Sequence, residues 1–439
     1  MPDVFWLWAG LPTTLQDALL ALALLAPGLV AGIVVLRGLS PWPLVRAMLG
    51  RFSAANVVFV ALIAISVGIG VGLTAQERGL RQGSALAAEK FDLVVAAPGS
   101  EITLMLAAVY LQPSDVPLVS GAQYAEIAAT ERVSLAAPIA FGDSHDGAPV
   151  VGTTADFVAH LSGGLAEGRL FETAEEAVAG AYAPVALGEA LTPEHGHGPT
   201  AEDESHADFA YTVTGRMAPT GSPWDRAILV PVEGVWAVHG LADGHAPENA
   251  GRIGPPFDPD YFPGTPAVLV RSDELWAHYG LKSRFTRPDL MAFFPGTVLA
   301  QLHVIMGDVR AAMSLLAVVT QVLVTVAVLA GLMILTRIFA RGLALLRALG
   351  APLRYVFAVV WGYSAALILV GALAGLVVGL AAASVLSRMV TARTDVLVSA
   401  TLGWPELHLI AGFVSLTLLL ALLPAWSAVR RPIVPDLRA

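Results

Sequence analysis

The stretch LALLRALGAPLRYVF, residues 343–357, separates two of the longest uncharged tracts in the chain with two arginines and a Gly-Ala-Pro break. Gly350 supplies a helix stop, because glycine takes the left-handed capping conformation without strain, and Pro352 blocks continuation of the same helix. The chain is therefore expected to turn here and re-enter apolar surroundings as a new helix. The product is a short, rigid, cationic helical hairpin. By helical period, Ile338, Leu343, Leu346 and Leu349 are expected along one face, with Arg341 and Arg347 on others.

Both sides of the hairpin are lipid-like. Of 439 residues, 56% are hydrophobic and 14% charged, which is too apolar for an ordinary soluble domain. A helix crosses a bilayer with about 20 apolar residues, because each backbone polar group in hydrocarbon must bond within its own segment. Five stretches meet that length: 18–36, 52–76, 311–336, 355–387 and 409–429. The fourth is longer than a bilayer requires and is expected to tilt or project. The expected fold class is an integral membrane α-helical protein with five transmembrane helices and a large α+β periplasmic domain. Residues 1–53 form an N-terminal extra transmembrane helix and a cytoplasmic amphipathic elbow. Residues 54–76 form a transmembrane helix leading into a stalk, and 77–307 the periplasmic domain with its flanking stalk helices. Residues 308–439 hold three transmembrane helices and the hairpin.

Orientation follows from arginine placement. Arg37, Arg46 and Arg51 share one loop, Arg337, Arg341, Arg347 and Arg354 another, and Arg430, Arg431 and Arg438 the tail. With five spans these regions fall on one side, opposed by a single acid, Asp436, so that side is read as cytoplasmic. The N-terminus and the large domain then lie outside, at the bacterial inner membrane. Between Glu77 and His303 the large domain carries 29 acids against 12 basic residues, which disfavours nucleic acid and anionic lipid heads as its ligands. The first segment lacks the basic start of a cleavable signal peptide, so the first span is expected to remain. There is no cysteine, and the domain must hold together without disulfides.

Within that domain FDLVVAAP, RVSLAAPIAF, APVVGTT, FAYTVTGRM, RAILVPV and PAVLVR read as strands, and TADFVAHLSG, VEGVWAVHGL and DELWAHYGL as short helices. In the second span, Gly68, Gly70 and Gly72 are small enough to let helices approach closely. The elbow RGLSPWPLVRAMLGRFSAAN alternates apolar residues and arginines at helical spacing, with Trp42 placed for the membrane interface.

Chemistry is sparse. The chain has two lysines, Lys90 and Lys282, neither in a G-x-x-x-x-G-K-[ST] setting, so it carries no P-loop of its own. Neither H-E-x-x-H nor G-x-S-x-G occurs. Inside the spans His408, near a boundary, is almost the only titratable side chain, which argues against a proton- or ion-coupled carrier.

The segment LALLRALGAPLRYVFAVVWGYSAALILVGALAGLVVGLAAA, 343–383, resembles the signature region of FtsX-like permease domains, where L-R-x-L-G-A precedes a long Gly-rich span. The tail LLPAWSAVRRPIVPDLRA is similar to that family's ending, and EKFDLVVAAPGS resembles the start of the extracytoplasmic domain in MacB-type members. The resemblance implies a permease subunit of a type VII ABC transporter, working as a homodimer or with a related permease and driven by two copies of a separate ABC ATPase that binds ATP and Mg²⁺. It implies that Arg337, Arg341, Leu346, Arg347, Gly350, Pro352 and Arg354 couple to the ATPase. It also implies mechanotransmission, in which the periplasmic domain exports, extracts or activates a client, with an adaptor, lipoprotein or substrate-binding protein as a further partner. The family usually has four spans, so the leading helix departs from it; it could meet a periplasmic partner or pack at the rim.

A second reading is a membrane-anchored periplasmic sensor or scaffold that binds metal and needs no ATPase. Its sequence basis is HGHGPTAEDESHAD, 195–208, where His195, His197 and His206 lie among carboxylates, a donor set suited to Zn²⁺ or a similar divalent ion. A solvated acidic loop explains the same residues. His239 and His245 read as surface or capping residues.

Overall fold

The computed structural model describes residues 8, 10–112, 114–196, 209–305, 307–394 and 396–430. In chain order its helices are α1 (Thr13–Leu36), α2 (Trp42–Arg51), α3 (Ser53–Glu89), α4 (Glu101–Ala108), α5 (Gly121–Ala128), α6 (Ala155–Ser162) and α7 (Val232–Val238). They continue with α8 (Leu275–Phe285), α9 (Pro295–Ile305), α10 (Gly307–Ile338), α11 (Ala340–Ala348), α12 (Leu353–Thr394), α13 (Trp404–Leu420) and α14 (Leu422–Val429). The strands are β1 (Leu93–Ala96), β2 (Leu135–Pro138), β3 (Ala140–His145), β4 (Ala148–Thr153), β5 (Leu165–Gly168) and β6 (Glu176–Ala179). They end with β7 (Ala190–Leu191), β8 (Glu194–His195), β9 (Tyr211–Met217), β10 (Ile228–Pro231), β11 (Ala267–Arg271) and β12 (Met291–Phe293). Two units result: a helical one, up to Gly79 with Asp308–Arg388 and the chain from Ser399, and an α/β one, Leu80–Gly307 with Met389–Val398.

The helical unit contains five helices long and apolar enough to cross a membrane: Thr13–Leu36, Ser53–Glu89, Val318–Ile338, Leu353–Thr394 and Trp404–Val429. A long apolar helix stands at each of the five expected spans. The second and fourth helices run to 37 and 42 residues, as their unbroken helical period requires. Glycine decides how they pack. Gly375 and Gly379 of α12 face α3, where a Cβ on Gly379 would lie 2.7 Å from the Gly68 carbonyl and one on Gly375 2.7 Å from Val67 Cβ. Gly68 and Gly72 return the contact, since a Cβ on either would lie 3.3 Å from a carbonyl of α12. The third glycine of the expected set, Gly70, points elsewhere, against Leu409 of α13. In lipid no hydrophobic force draws helices together, so this close backbone approach must supply the attraction by van der Waals contact.

The leading helix α1 lies against α13, where Gly28 N–H donates to Ser415 Oγ at 2.9 Å. Gly32 abuts the Trp361 indole, whose Nε1–H donates to the Leu418 carbonyl at 3.0 Å. Only 6% of its apolar window is buried, against 39% for α3, which makes α1 a peripheral helix of this unit. The elbow is helical as expected: Val45 and Met48 of α2 turn inward, while Trp42 and Arg46 are exposed.

The α/β unit holds two sheets. One has the order β12-β1-β11-β2 with every pairing antiparallel; the other runs β5-β9-β6-β10-β4-β3-β8, with β7 beside β9. β1 is buried on both faces: Val94 and Ala96 join one core and Leu93 and Val95 the other, which is why LVVA lacks polar alternation. The six strand readings and three helix readings all correspond to observed elements. Helices α4 and α5 add to them. α5 opens with a capping box in which Gln123 N–H donates to Ser120 Oγ and Ser120 N–H to Gln123 Oε1, an S-x-x-Q signal present in the sequence.

Gly379→Val should push α3 from α12 and lower the thermal midpoint of the detergent-purified protein, with a cost of about 1–3 kcal/mol. Gly412→Ala, where a Cβ meets nothing within 4 Å, should leave the midpoint unchanged.

Candidate functional site

The break between α11 and α12 is built as the sequence requires. α11 ends at Ala348, Gly350 adopts φ +93°, and α12 starts at Leu353 directly after Pro352. The turn is closed by Gly350 N–H to the Arg347 carbonyl and Ala351 N–H to the Leu346 carbonyl, both 3.0 Å. A second break precedes it. Phe339 stands between α10 and α11, held edge-on to Phe52 at 4.8 Å and to Tyr363 at 5.5 Å. Tyr363 in turn donates its hydroxyl to Asn56 Oδ1, and Asn56 Nδ2 donates to the Leu49 carbonyl at 2.8 Å. The hairpin is thereby tied to α3 and to the elbow.

The helical register does not carry across Phe339, so the expected face is wrong in part. Leu343 and Ala344 are buried and Leu346 is half-buried, but Ile338 and Leu349 are exposed. Arg347 is half-buried on the inward side, whereas Arg341 is exposed. The outward sector of α11 and the turn is Arg341, Leu345, Leu349, Leu353 and Arg354, with Arg337 exposed just before it. Leu345 is 55% and Leu349 79% exposed, an apolar stripe edged by cations. Sequence reading placed Leu346 and Leu349 on one face with Leu343 and did not single out Leu345; of these, Leu345 and Leu349 are the exposed ones. Pro352 is exposed at the turn.

A buried ion pair lies at the ends of two long helices. Arg78 of α3 reaches Glu406 in the first turn of α13, Nη1 to Oε2 at 2.6 Å and to Oε1 at 2.8 Å. Glu406 has no exposed surface, and it also accepts from Gly403 N–H at 2.9 Å. Arg78 donates further to the Thr401 carbonyl. Polar contacts also join these helices to their neighbours: Ser387 Oγ of α12 donates to Gln76 Oε1 of α3 at 2.9 Å, and His408 Nε2 of α13 lies 2.9 Å from the Asp17 carbonyl of α1. The sequence view of the spans as nearly free of titratable groups thus needs extension, since Arg78 and Glu406 fall just beyond the apolar runs yet inside the same helices.

In the α/β unit, His195 lies in β8, and His197 and His206 lie outside the described residues. Among the described residues no group of three or more metal-ligating side chains is gathered. His239 does cap α7, and its Nε2 lies 3.3 Å from Asp143 Oδ2; that carboxylate raises the imidazole above its ordinary pKa. His245 is not a surface residue. Its side chain is buried against Phe257, with Nε2 3.6 Å from Oε1 of the equally buried Glu233. Glu233 Oε1 accepts from Gly254 N–H at 2.5 Å. Oε2 and the His245 Nε2 have no hydrogen-bond partner among the described residues. Burial pushes the Glu233 carboxyl up to about 7 and the His245 imidazole down.

No protein-family model matches the chain, and no curated protein matches it.

Arg78→Ala leaves the Glu406 carboxylate buried without its counter-charge and should cost about 3–5 kcal/mol, read as a lowered unfolding midpoint in detergent. The paired change Arg78→Met with Glu406→Leu should recover much of that loss. Glu233 binds its proton more tightly folded than unfolded, so stability falls as pH rises from the ordinary carboxyl range through about 7, by about 3 kcal/mol in full. His245 acts oppositely, reducing stability only as pH falls through the ordinary imidazole range. Glu233→Gln should raise the melting temperature at pH 8 and flatten its fall between pH 5 and 8.

Proposed function

We propose that this chain is the permease subunit of an ABC transporter of the MacB/FtsX-like kind, seated in the bacterial inner membrane and driven by two copies of a separate ATPase. The observation that carries the reading is the hairpin of α11 and α12. It offers exposed leucines edged by Arg337, Arg341 and Arg354, with no acid anywhere from 337 to 354. An apolar stripe with a cationic rim is the composition of a protein-docking surface, where desolvated anchors supply affinity and peripheral charge supplies orientation. The chain has no lysine suited to a P-loop, so the nucleotide chemistry belongs to the partner.

In this reading the ATPase grips the hairpin, and closure of two ATPase copies draws two permease copies together. Displacement at Gly350 enters α12, which is helical without interruption from Leu353 to Thr394. Its last residues, with Val396 and Val398 beyond them, belong to the α/β unit. The glycine contact with α3 makes both long helices move as one body. The α/β unit, placed in the periplasm, is then the part that exports, extracts or activates a client. Positive-inside arginine placement supports that orientation.

Leu345→Asp combined with Arg341→Glu should reduce co-purification with an ABC ATPase encoded beside this chain by about tenfold or more and remove its stimulation of ATP turnover. Arg388→Glu, an exposed charge on the opposite side in this orientation, should not. The absence of native cysteine allows a direct topology check with Leu349→Cys: labelling only after the inner face is opened is expected. Reaction with an impermeant reagent in intact cells would defeat the reading.

A further inference from the structure

α8 buries one side and leaves an aromatic side uncovered. Ala277, His278, Leu281 and Phe285 are buried, as the inward side of a packed helix requires. Opposite them, at helical spacing, lie Trp276, Tyr279, Gly280 and Ser283, all exposed. Trp276 and Tyr279 are 60% and 73% exposed, the most exposed aromatic side chains among the described residues. The other two tryptophans of the α/β unit, Trp224 and Trp236, are buried. Two large rings side by side on one helix make a patch, and an exposed patch of this kind marks a contact surface.

Both rings are braced. The Arg132 guanidinium stands 4.2 Å from the Trp276 ring centroid, carried there by a residue at φ +72°, a left-handed conformation uncommon outside glycine. Tyr279 meets the edge of Phe294 at 5.3 Å, and Lys282 Nζ lies 5.1 Å from the same ring. Side chains held in this way lose little freedom on entering an interface, which favours binding.

The order of residues along α8 identifies the occupant. The exposed side reads acidic at Asp273 and Glu274, bulky at Trp276 and Tyr279, small at Gly280 and Ser283, and basic at Arg284. Reversed, each class meets its complement. An antiparallel copy of the helix, centred between Tyr279 and Gly280, sets Trp276 against Ser283 of the second copy and Tyr279 against its Gly280. A Cβ on Gly280 would meet nothing within 4 Å, so that position is open to a ring arriving from outside. The same register brings Asp273 and Glu274 beside Arg284 of the second copy and aligns the two helix dipoles head to tail. A two-fold contact must be complementary to itself, and this face is so in both shape and charge.

We propose that α8 is a homophilic contact through which the α/β units of two copies of this chain pair about a two-fold axis. A free-standing dimer buries about 800 Å² per partner, more than one short helix face offers. Two copies held in one membrane meet at high effective concentration, so a smaller contact suffices. The pairing needs a second copy and no ATPase, and it stands or falls apart from the hairpin.

The chain has no native cysteine, so introduced cysteines report the contact in membranes that hold the full-length protein. Under mild oxidation Gly280→Cys, beside the axis, should give a disulfide-linked dimer. Ser283→Cys alone should not, because the two copies of that residue stand about 10 Å apart along the helix pair, beyond disulfide reach. Trp276→Cys joined with Ser283→Cys in one chain should link, since these positions meet across the axis. Arg284→Glu should lower the Gly280→Cys dimer yield about threefold or more, and adding Asp273→Arg with Glu274→Arg should restore it. All of these side chains are exposed, so the variants keep the packed side of α8 intact. The proposal is overturned by absence of the Gly280→Cys dimer, by an equal yield from Ser283→Cys alone, or by Gly280→Cys linking only to a different protein. Absence of that dimer while the ATPase still co-purifies removes the α8 contact and leaves the hairpin reading in place.

Discussion

The crossing of α3 with α12 constrains the rest of the helical unit. Gly371, Gly375 and Gly379 recur at every fourth residue, and Ile63, Val67 and Gly68 sit against them at distances that no larger side chain would permit. That approach fixes the rotation of both helices. It follows that Asn56 faces Tyr363, that Phe339 is caught between Phe52 and Tyr363, and that Gln76 meets Ser387 further along. Hairpin position is therefore set by the small residues well inside the apolar tract, because the aromatic contacts at its base exist only in that rotation. Methyl-sized changes at the crossing act at a distance through rigid helices, which in a packed interior cannot bend to absorb them.

Polar groups at the other ends of these helices are closed on one another. Arg78 is shared between Glu406 and the Thr401 carbonyl, and Glu406 spends its remaining capacity on Gly403 N–H. A carboxylate with no exposure tolerates that position because charge and hydrogen bonds are both supplied within the chain. Such a pair holds the start of α13 against α3 and adds directional contact where the glycine crossing has ended. Packing alone is degenerate in lipid, and hydrogen-bonded polar groups remove the degeneracy.

Much of this was legible in the sequence, and what was not has a physical pattern. Apolar length gave all five long helices, and Gly350 with Pro352 gave the hairpin turn, since each depends on local chain properties alone. Alternation and β-branched content gave β1, β4, β9, β10 and β11. The face expected for the hairpin was misread at its two ends: Ile338 lies before the break at Phe339, and Leu349 is the C-cap of α11 rather than part of its packed side. His245 was misread because its surroundings, Phe257 and Glu233, come from segments that only folding brings together. Arg78 and Glu406 are 328 residues apart, and no local pattern pairs them.

Buried acids in the α/β unit separate into two kinds by how they are satisfied. Asp225 accepts from Thr220 N–H, the Thr220 hydroxyl and Gly221 N–H, at 2.7–2.8 Å, and so organises a turn with its charge fully occupied by neutral donors. That is a structural carboxylate: its partners lie within five residues and form with the turn itself. Asp143 and Glu233 are different, because each is matched with an imidazole from a distant segment, His239 and His245. An imidazole partner can gain or lose a proton or accept a metal within the range a cell experiences, and backbone donors cannot. Glu233 combines both kinds of contact, since Oε1 also accepts from Gly254 N–H, and burial holds its carboxyl up at about 7, so of these acids it is the one whose proton is exchanged within the range a cell experiences.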